Sequence, residues 1–289
     1  MAATIPTLQP PRHVALKLSV SIVLFHTPLD TLKSAMDSLR RAAECATRAG
    51  ILGEMAVFVT DNSCDPVYQR SLDAVLDNWS TDQRWSFQFA AEHQNKGFGA
   101  GHNNWLQSLQ SDTHLILNPD VVLSPESLRE GLSRLAQSSE IALLSPKVSG
   151  ADGRQEFLCK RYPSAWILFL RAFAPGLLRR RFATALEHYE MRDICGGPAE
   201  ADVELASGCC MLIPTELLQV VGGFDARDFL YFEDFDLCLR LARHGRLLYF
   251  PQMEIVHFGG YAARKGLRHV WYFVRSARRF FASHGWRWI

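Results

Sequence analysis

Leu18-Ser-Val-Ser-Ile-Val-Leu-Phe25 is a nearly continuous apolar run rich in β-branched residues. A strand covered on both faces needs such a run, so a buried, parallel-type sheet is the first expectation. Working outward, residues 29–49 carry Leu32, Ala35, Met36, Leu39, Ala42 and Ala43 at helical spacing and stop at Gly50. Met55-Ala-Val-Phe-Val-Thr60 reads as a second buried strand, ending in Asp61-Asn62-Ser63, and Phe87-Gln-Phe-Ala90 as a shorter third. A glycine-rich stretch, residues 95–101, opens a helix expected to run through Leu109, and His114-Leu-Ile-Leu117 is a fourth strand closed by Asn118-Pro119-Asp120. Strands alternating with helices indicate an α/β chain with a mainly parallel, doubly wound sheet. Ligands of such sheets bind beyond the carboxyl ends of the strands. The polar clusters at 61–63, 95–104 and 118–120 all lie just past strand ends and should converge on one crevice.

The second half is less regular. Residues 151–200 carry Arg179-Arg180-Arg181 and the turn Gly196-Gly197-Pro198, and should cross over the active face. Ala206-Ser-Gly-Cys-Cys-Met-Leu-Ile-Pro214 reads as another buried strand, with a close backbone approach at Gly208. A short helix over 216–221, an acidic helix start near 232–236 and strands at 247–250 and 253–256 follow.

With 289 residues, 48% of them hydrophobic, the chain can bury a sizeable core. Its 31 Lys+Arg against 30 Asp+Glu supply no global charge for nucleic acid. Seven cysteines, an odd number without CxxC spacing, argue against a disulfide framework or zinc and for reduced thiols in the cytosol. No apolar stretch reaches the roughly 18–20 residues of a spanning helix. Pro6, Pro10 and Pro11 without an apolar signal core make residues 1–16 a disordered leader.

Three constellations carry chemistry. Asp120 at a strand end is a hard oxygen ligand suited to a divalent cation on two phosphates, or else a plain Asx turn. In Tyr231-Phe-Glu-Asp-Phe-Asp-Leu237, Glu233, Asp234 and Asp236 open a helix among aromatics. Helix-dipole complementarity explains them, or partial desolvation tunes one as a general base. His257, at a strand end before Gly259, is either structural or able to present imidazole to a metal. Asn95-Lys-Gly-Phe-Gly-Ala-Gly-His-Asn103 has neither the Walker A pattern nor a dinucleotide fingerprint.

Taken in order, Val59-Thr-Asp-Asn-Ser63, residues 95–103, Leu117-Asn-Pro-Asp120, Gly222-Gly-Phe-Asp225, Phe232-Glu-Asp-Phe-Asp-Leu-Cys-Leu-Arg240 and His257 resemble family 2 glycosyltransferases, most closely the bacterial rhamnosyltransferase-like branch. The resemblance covers residues 18–262 and implies a GT-A fold and an inverting, metal-dependent transferase. It implies that Phe25, Asp61, Asn62, Asn95, Gly97, Gly101 and Asn103 bind the donor, and that Asp120 and His257 hold Mg2+ or Mn2+. By the same likeness Asp234 is the catalytic base, paired with Glu233. Asn118 stands where the family often has an aspartate, which weakens the expected metal site. The donor would be a nucleotide diphosphate sugar, dTDP-rhamnose or a UDP-sugar. The acceptor would be a saccharide or lipid-linked saccharide of the cell surface. Residues 17–150 would form the nucleotide-sugar-binding half and 151–262 the acceptor-binding and catalytic half of one domain. A sugar-nucleotide pyrophosphorylase and an inactive nucleotide-sugar-binding module are the alternatives. A pyrophosphorylase would need a glycine- and basic-rich loop, absent after Phe25.

Residues 263–289 interleave Arg264, Lys265, Arg268, Arg275, Arg278, Arg279 and Arg287 with aromatics, and Leu267, Val270, Trp271, Val274 and Phe281 fall at helical spacing. The stretch is a helix either docked on the domain or lying in a membrane interface, which would put the enzyme in the cytoplasm, at the inner face of the cytoplasmic membrane.

Overall fold

The computed structural model describes residues 15–76, 84–259 and 267–289. The leader expected over 1–16 therefore lies almost wholly outside the described residues, as do residues 263–266. The first half runs β1 (Leu16–Leu24), α1 (Leu29–Arg48), β2 (Leu52–Asp61), α2 (Pro66–Leu76), β3 (Trp85–Ala91), α3 (Phe98–Asn103), β4 (Thr113–Leu117), β5 (Val121–Leu123), α4 (Ser127–Ala136) and β6 (Ile141–Gly150). The second half opens with β7 (Gln155–Glu156), α5 (Ala165–Phe173), α6 (Gly176–Arg181), α7 (Ala183–Tyr189) and α8 (Arg192–Cys195). It closes with β8 (Ala201–Asp202), β9 (Cys210–Pro214), α9 (Thr215–Val220), α10 (Glu233–Leu241), β10 (Arg246–His257) and α11 (Leu267–His284).

One sheet spans both halves in the order β3-β2-β1-β4-β9-β6-β10-β5. Its first four strands are parallel, and β6 and β10 form a further parallel pair. β9 enters antiparallel between β4 and β6, and β5 closes the far edge antiparallel to β10.

β1 shows how the sheet is built. Leu18, Val20, Ile22 and Leu24 face α1 and α4 in one core, while Ser19 and Ser21 turn to the opposite face and are just as buried. The apparently continuous run thus alternates. Its serines are accommodated because Ser19 Oγ lies 2.6 Å from His114 Nδ1, and Ser21 Oγ lies 2.8 Å from His114 Nε2 and 2.6 Å from His102 Nδ1. A second core on that face gathers Ile116, Met211, Ile213, Leu237 and Leu241 under α9 and α10. A third lies outside the sheet, where α5, α7 and α11 meet around Leu170, Tyr189, Phe232, Phe280 and Phe281.

Four expectations are corrected. The helix expected through Leu109 ends at Asn103, followed by a separate 3-10 turn, Leu106–Ser108. Trp105 turns inward there, its Nε1 donating to Thr60 Oγ1 at 2.8 Å. The strand expected from Ala206 starts only at Cys210, because the N–H groups of Ala206 and Gly208 are spent on Cys238 Sγ and Asp234 Oδ2 of α10. The two strands expected at 247–250 and 253–256 are one, with its register slipping between Phe250 and Glu254 where Pro251 has no N–H to donate. Finally, α11 docks on the domain, but of the predicted stripe only Phe281 is seen to take part: Val270, Trp271 and Val274 are exposed, and Phe281 faces the third core with Phe273, Ala277 and Phe280. Polar ties finish the docking, Ser276 Oγ to the Leu230 carbonyl at 3.0 Å and Arg279 to Asp228 at 2.7 Å. No helix among the described residues is long and apolar enough to cross a membrane.

Candidate active site

The carboxyl ends of β1, β2 and β4 open onto a crevice with two cavities. The larger, about 580 Å³, is lined by Phe25, Asn62, Asn95, Gly97, Phe229 and Tyr272 among others. Its floor is a loop fixed from within. Asn95 Oδ1 accepts from the Gly97 N–H at 2.9 Å, and Asn62 Nδ2 donates to the Gly97 carbonyl at 2.9 Å. Gly97 has φ 91°, and a Cβ there would run into the Phe229 carbonyl, so both conformation and space demand glycine. Phe25 is 59% exposed at the mouth, and Phe229 stacks on Tyr272 of α11 at 4.7 Å. Asp61 lies beneath, fully buried. One of its oxygens accepts from the Ser63 N–H at 2.9 Å, and the other has no partner. A buried carboxylate oxygen left unpaired is costly, and Asp61 itself is not part of the cavity's lining.

The second cavity, about 390 Å³, shares Leu230 with the first and contains Glu233 and Asp234 together with Lys160, Arg171 and Tyr189. The chain reaches α10 through two consecutive left-handed residues, Tyr231 (φ 72°) and Phe232 (φ 66°), an uncommon conformation for bulky side chains. Phe232 thereby enters the third core while Asp234 turns to the crevice. Its two oxygens accept from the Gly208 N–H at 3.0 Å and the Phe235 N–H at 2.9 Å, and each keeps a free lone pair. A Cβ on Gly208 would press on both Phe98 and the Asp234 Cβ, at 3.0 and 3.3 Å. Burial raises the Asp234 carboxyl above the usual range, partly offset by those amides and by Arg171. Burial, reinforced by the Asp234 charge, drives Glu233 well above it, and Glu233 Oε2 has no partner. Burial thus raises both carboxyls, Glu233 the more strongly.

Asp120 and His257 meet at the far side of β4, where β5 pairs with β10 and sets His257 opposite Val121. His257 Nε2 stands 3.6 Å from Asp120 Oδ2, and Nδ1 lies 3.0 Å from Glu156 Oε2. Asp120 Oδ1 and Asn118 Oδ1 are buried without partners. These atoms suit a hard divalent cation, with Glu156 holding the imidazole as outer carboxylates hold metal-binding histidines. Among the described residues no group of three or more His, Cys, Asp or Glu side chains is assembled for a metal, so phosphate oxygens would have to complete the shell. The clusters share one neighbourhood: the Cys209 thiol is raised to about 12 chiefly by burial, with Asp120, Asp234 and Glu156 each contributing.

Residues 39–285 match the glycosyltransferase like family 2. The chain belongs to that family. N-acetylglucosaminyl-diphospho-decaprenol L-rhamnosyltransferase of Mycobacterium tuberculosis is 28% identical over 211 residues, 65% of this chain and 67% of that protein. Rhamnosyltransferase WbbL of Escherichia coli K12 is 25% identical over 177 residues, 56% of this chain and 61% of that one. Among solved structures, the mannosyltransferase PcManGT of Pyrobaculum calidifontis, in complex with GDP-Man and Mn2+, has a TM-score of 0.59 at 14% identity, covering 96% of this chain and 66% of its own. GalNAc-T7 with UDP, GalNAc and Mn2+ has a TM-score of 0.63 at 15% identity, covering 94% of this chain. This chain spans about half (51%) the length of that one. The fold is the GT-A fold.

Within this family 2 transferase, the structure gathers Phe25, Asn62, Asn95 and Gly97 around one cavity and Glu233 and Asp234 around the other. Gly101 and Asn103 stand apart from both linings. Gly101 packs against Val23, and Asn103 clamps the Phe224 backbone through both side-chain atoms, at 2.9 and 2.7 Å. Sequence reasoning missed Glu156, Lys160, Arg171 and Tyr189, all within the irregular stretch 151–200.

Proposed function

We propose that this chain moves one sugar from a nucleotide diphosphate donor, dTDP-rhamnose or a UDP-sugar, to a hydroxyl of a saccharide or lipid-linked saccharide acceptor, by a single inverting displacement. The observation that carries the reading is Asp234: a half-buried carboxylate, fixed by two amides, in a cavity that adjoins the nucleotide-sized one. Asp234 takes the acceptor's proton. The freed oxygen forms its bond to the anomeric carbon as the bond to the diphosphate breaks on the opposite face, which inverts the configuration. Asp61 and Asn62 receive the nucleoside, Phe25 covers it, and Asn95 and Gly97 shape the pocket wall. Asp120 and His257, with Asn118 beside them, would hold Mg2+ or Mn2+, which neutralises charge on the departing diphosphate. The test is incubation with dTDP-rhamnose and with UDP-sugars, following nucleotide diphosphate release and the anomeric configuration of the product by NMR. A retained configuration, or no release from any donor, would overturn the reading.

Metal dependence is checked by calorimetry. Asp120→Ala should weaken dTDP binding roughly tenfold, about 1.4 kcal/mol, in Mn2+ and leave it unchanged in chelator. Equal affinity of both proteins in Mn2+ would remove Asp120 from the metal site.

Work at the inner face of the cytoplasmic membrane belongs to the same proposal. It is supported by the outer side of α5, where Trp166, Phe169 and Phe173 are exposed beside Trp286 and Trp288, with Arg179, Arg180 and Arg181 next along the chain. The intact protein should co-sediment with phosphatidylglycerol vesicles and detach in high salt. Each Arg→Gln change in that run should weaken binding by about 1 kcal/mol. Sedimentation that ignores both salt and these substitutions would exclude this surface.

A further inference from the structure

We propose that Asp228 is a positioning residue for the transfer: paired with Arg279 of α11, it holds the wall between the two cavities in the setting that aims Asp234 at the larger one. The proposal rests on the transfer reading and names a further residue on which that reaction depends.

Leu230 lines both cavities, so the segment 228–232 is their common wall, with Phe229 toward the larger and Tyr231 and Phe232 toward the smaller. The wall runs straight into α10, whose first turn carries Asp234. Any displacement of the wall therefore passes to that carboxylate. The backbone does not hold the wall by itself. Tyr231 and Phe232 adopt consecutive left-handed conformations that bulky side chains ordinarily avoid, and such a backbone persists where its surroundings impose it.

Here they impose it from two sides. On one, the Phe229 carbonyl accepts from the Phe98 N–H of α3 at 3.2 Å. On the other, α11 grips three successive residues: Arg279 donates to Asp228 Oδ1 at 2.7 Å, Tyr272 stacks on Phe229, and Ser276 Oγ donates to the Leu230 carbonyl at 3.0 Å. Arg279 also donates to the Arg227 carbonyl, so one guanidinium spans the start of the wall. Of these contacts the Asp228 pair is the ionic one, and it is buried, with the Asp228 side chain 4% exposed against 27% for Arg279. Burial raises the Asp228 carboxyl and Arg279 opposes the rise, so charge and pairing sustain each other. The neighbouring acids have cations of their own: Arg227 grips Asp225, and Arg240 and His284 grip Asp236. Arg279 is left to Asp228. Neither residue of the pair lines a cavity, so Asp228 acts through the wall and not on a ligand.

The test uses the full chain, with transfer from dTDP-rhamnose to an alkyl N-acetylglucosaminyl diphosphate as the assay. Asp228→Asn is the informative change, because the amide is isosteric and the Arg279 charge it releases is partly in water. It should lower kcat by about 10- to 100-fold, as a small misplacement of a reacting group does, while dTDP affinity, both KM values and circular dichroism stay those of the wild type. Arg279→Met should do the same, and the two changes together should cost no more than the worse of them, since they remove one interaction. Arg279→Lys, which keeps the charge without the fork, should return most of kcat. Independently of transfer, chymotrypsin should cut after residues 229–232 faster in Asp228→Asn than in the wild type. Unchanged kcat in Asp228→Asn overturns the proposal. A lowered melting temperature with kcat intact does so too, since the pair would then be an ordinary tie of α11. Weaker dTDP binding at full kcat, or additive losses in the double variant, would also overturn it. A wild type that transfers no sugar from any donor would instead sink the transfer reading, and proteolysis would then decide the rest: faster cutting in Asp228→Asn sustains Asp228 as the residue that holds the wall, and equal cutting removes it.

Discussion

Asp234→Asn should lower sugar transfer by roughly 10²–10⁴-fold while dTDP affinity and circular dichroism stay those of the wild type. The amide is isosteric, and its carbonyl oxygen can still accept from one of the two backbone N–H groups, at Gly208 or Phe235, that hold the carboxylate. What it loses is the lone pair that takes a proton. The pH profile of the wild type supplies a second check. Burial raises the Asp234 carboxyl, and the base must be ionised, so activity should fall on acidification at a pH above the ordinary aspartate value of about 4. Turnover within a few-fold of wild type in Asp234→Asn would require another base.

Acidification from pH 7 to pH 5 should cost the fold about 4 kcal/mol through two imidazoles. His102 and His114 are wholly buried, and burial holds each at about 3, against about 6.5 in an unfolded chain. The unfolded chain then binds protons that the folded one refuses. This contribution to stability is complete above about pH 6.5 and drains away as the pH falls toward 3. At pH 5 each histidine accounts for about 2 kcal/mol, a large share of an ordinary total of about 5–15. Glu233, raised by burial, acts in the opposite direction, so the histidine variants isolate the effect. Urea midpoints at both pH values should separate for the wild type and draw together for His114→Gln. Equal midpoints in the wild type would show that the imidazoles titrate freely.

Those histidines also mark where the sequence stops being legible. The first half could be read because its strands are short apolar runs, each closed by a polar cluster, and the sheet's topology collects those closures at one edge. Ser19 and Ser21 looked like tolerated interruptions. Their partners His102 and His114 are over eighty residues away, and no local period announces a pairing that long. Likewise Glu156 and Lys160 reach the crevice from a two-residue strand and an isolated bridge, and Arg171 and Tyr189 from short helices, in a stretch with little amphipathic period. Nothing in the sequence around Lys160 sets it apart from a surface cation. The C-terminal helix was legible as a helix but not in its orientation. Val270, Trp271 and Val274 make as good a stripe as Phe273, Ala277 and Phe280, and only the aromatic pocket around Phe232 chooses between them.

The position of α11 bears on how the enzyme comes into being. Its His269 and Tyr272 wall the larger cavity and its Phe273 the smaller, so both lack a side until residues 267–284 have been made. The parallel half of the sheet needs only earlier residues and can form first. A nascent chain stalled before residue 267 would hold Asp61 and Asp120 in a nearly finished sheet while both cavities stay open on one side. Translation order thereby separates formation of the sheet from closure of the cavities.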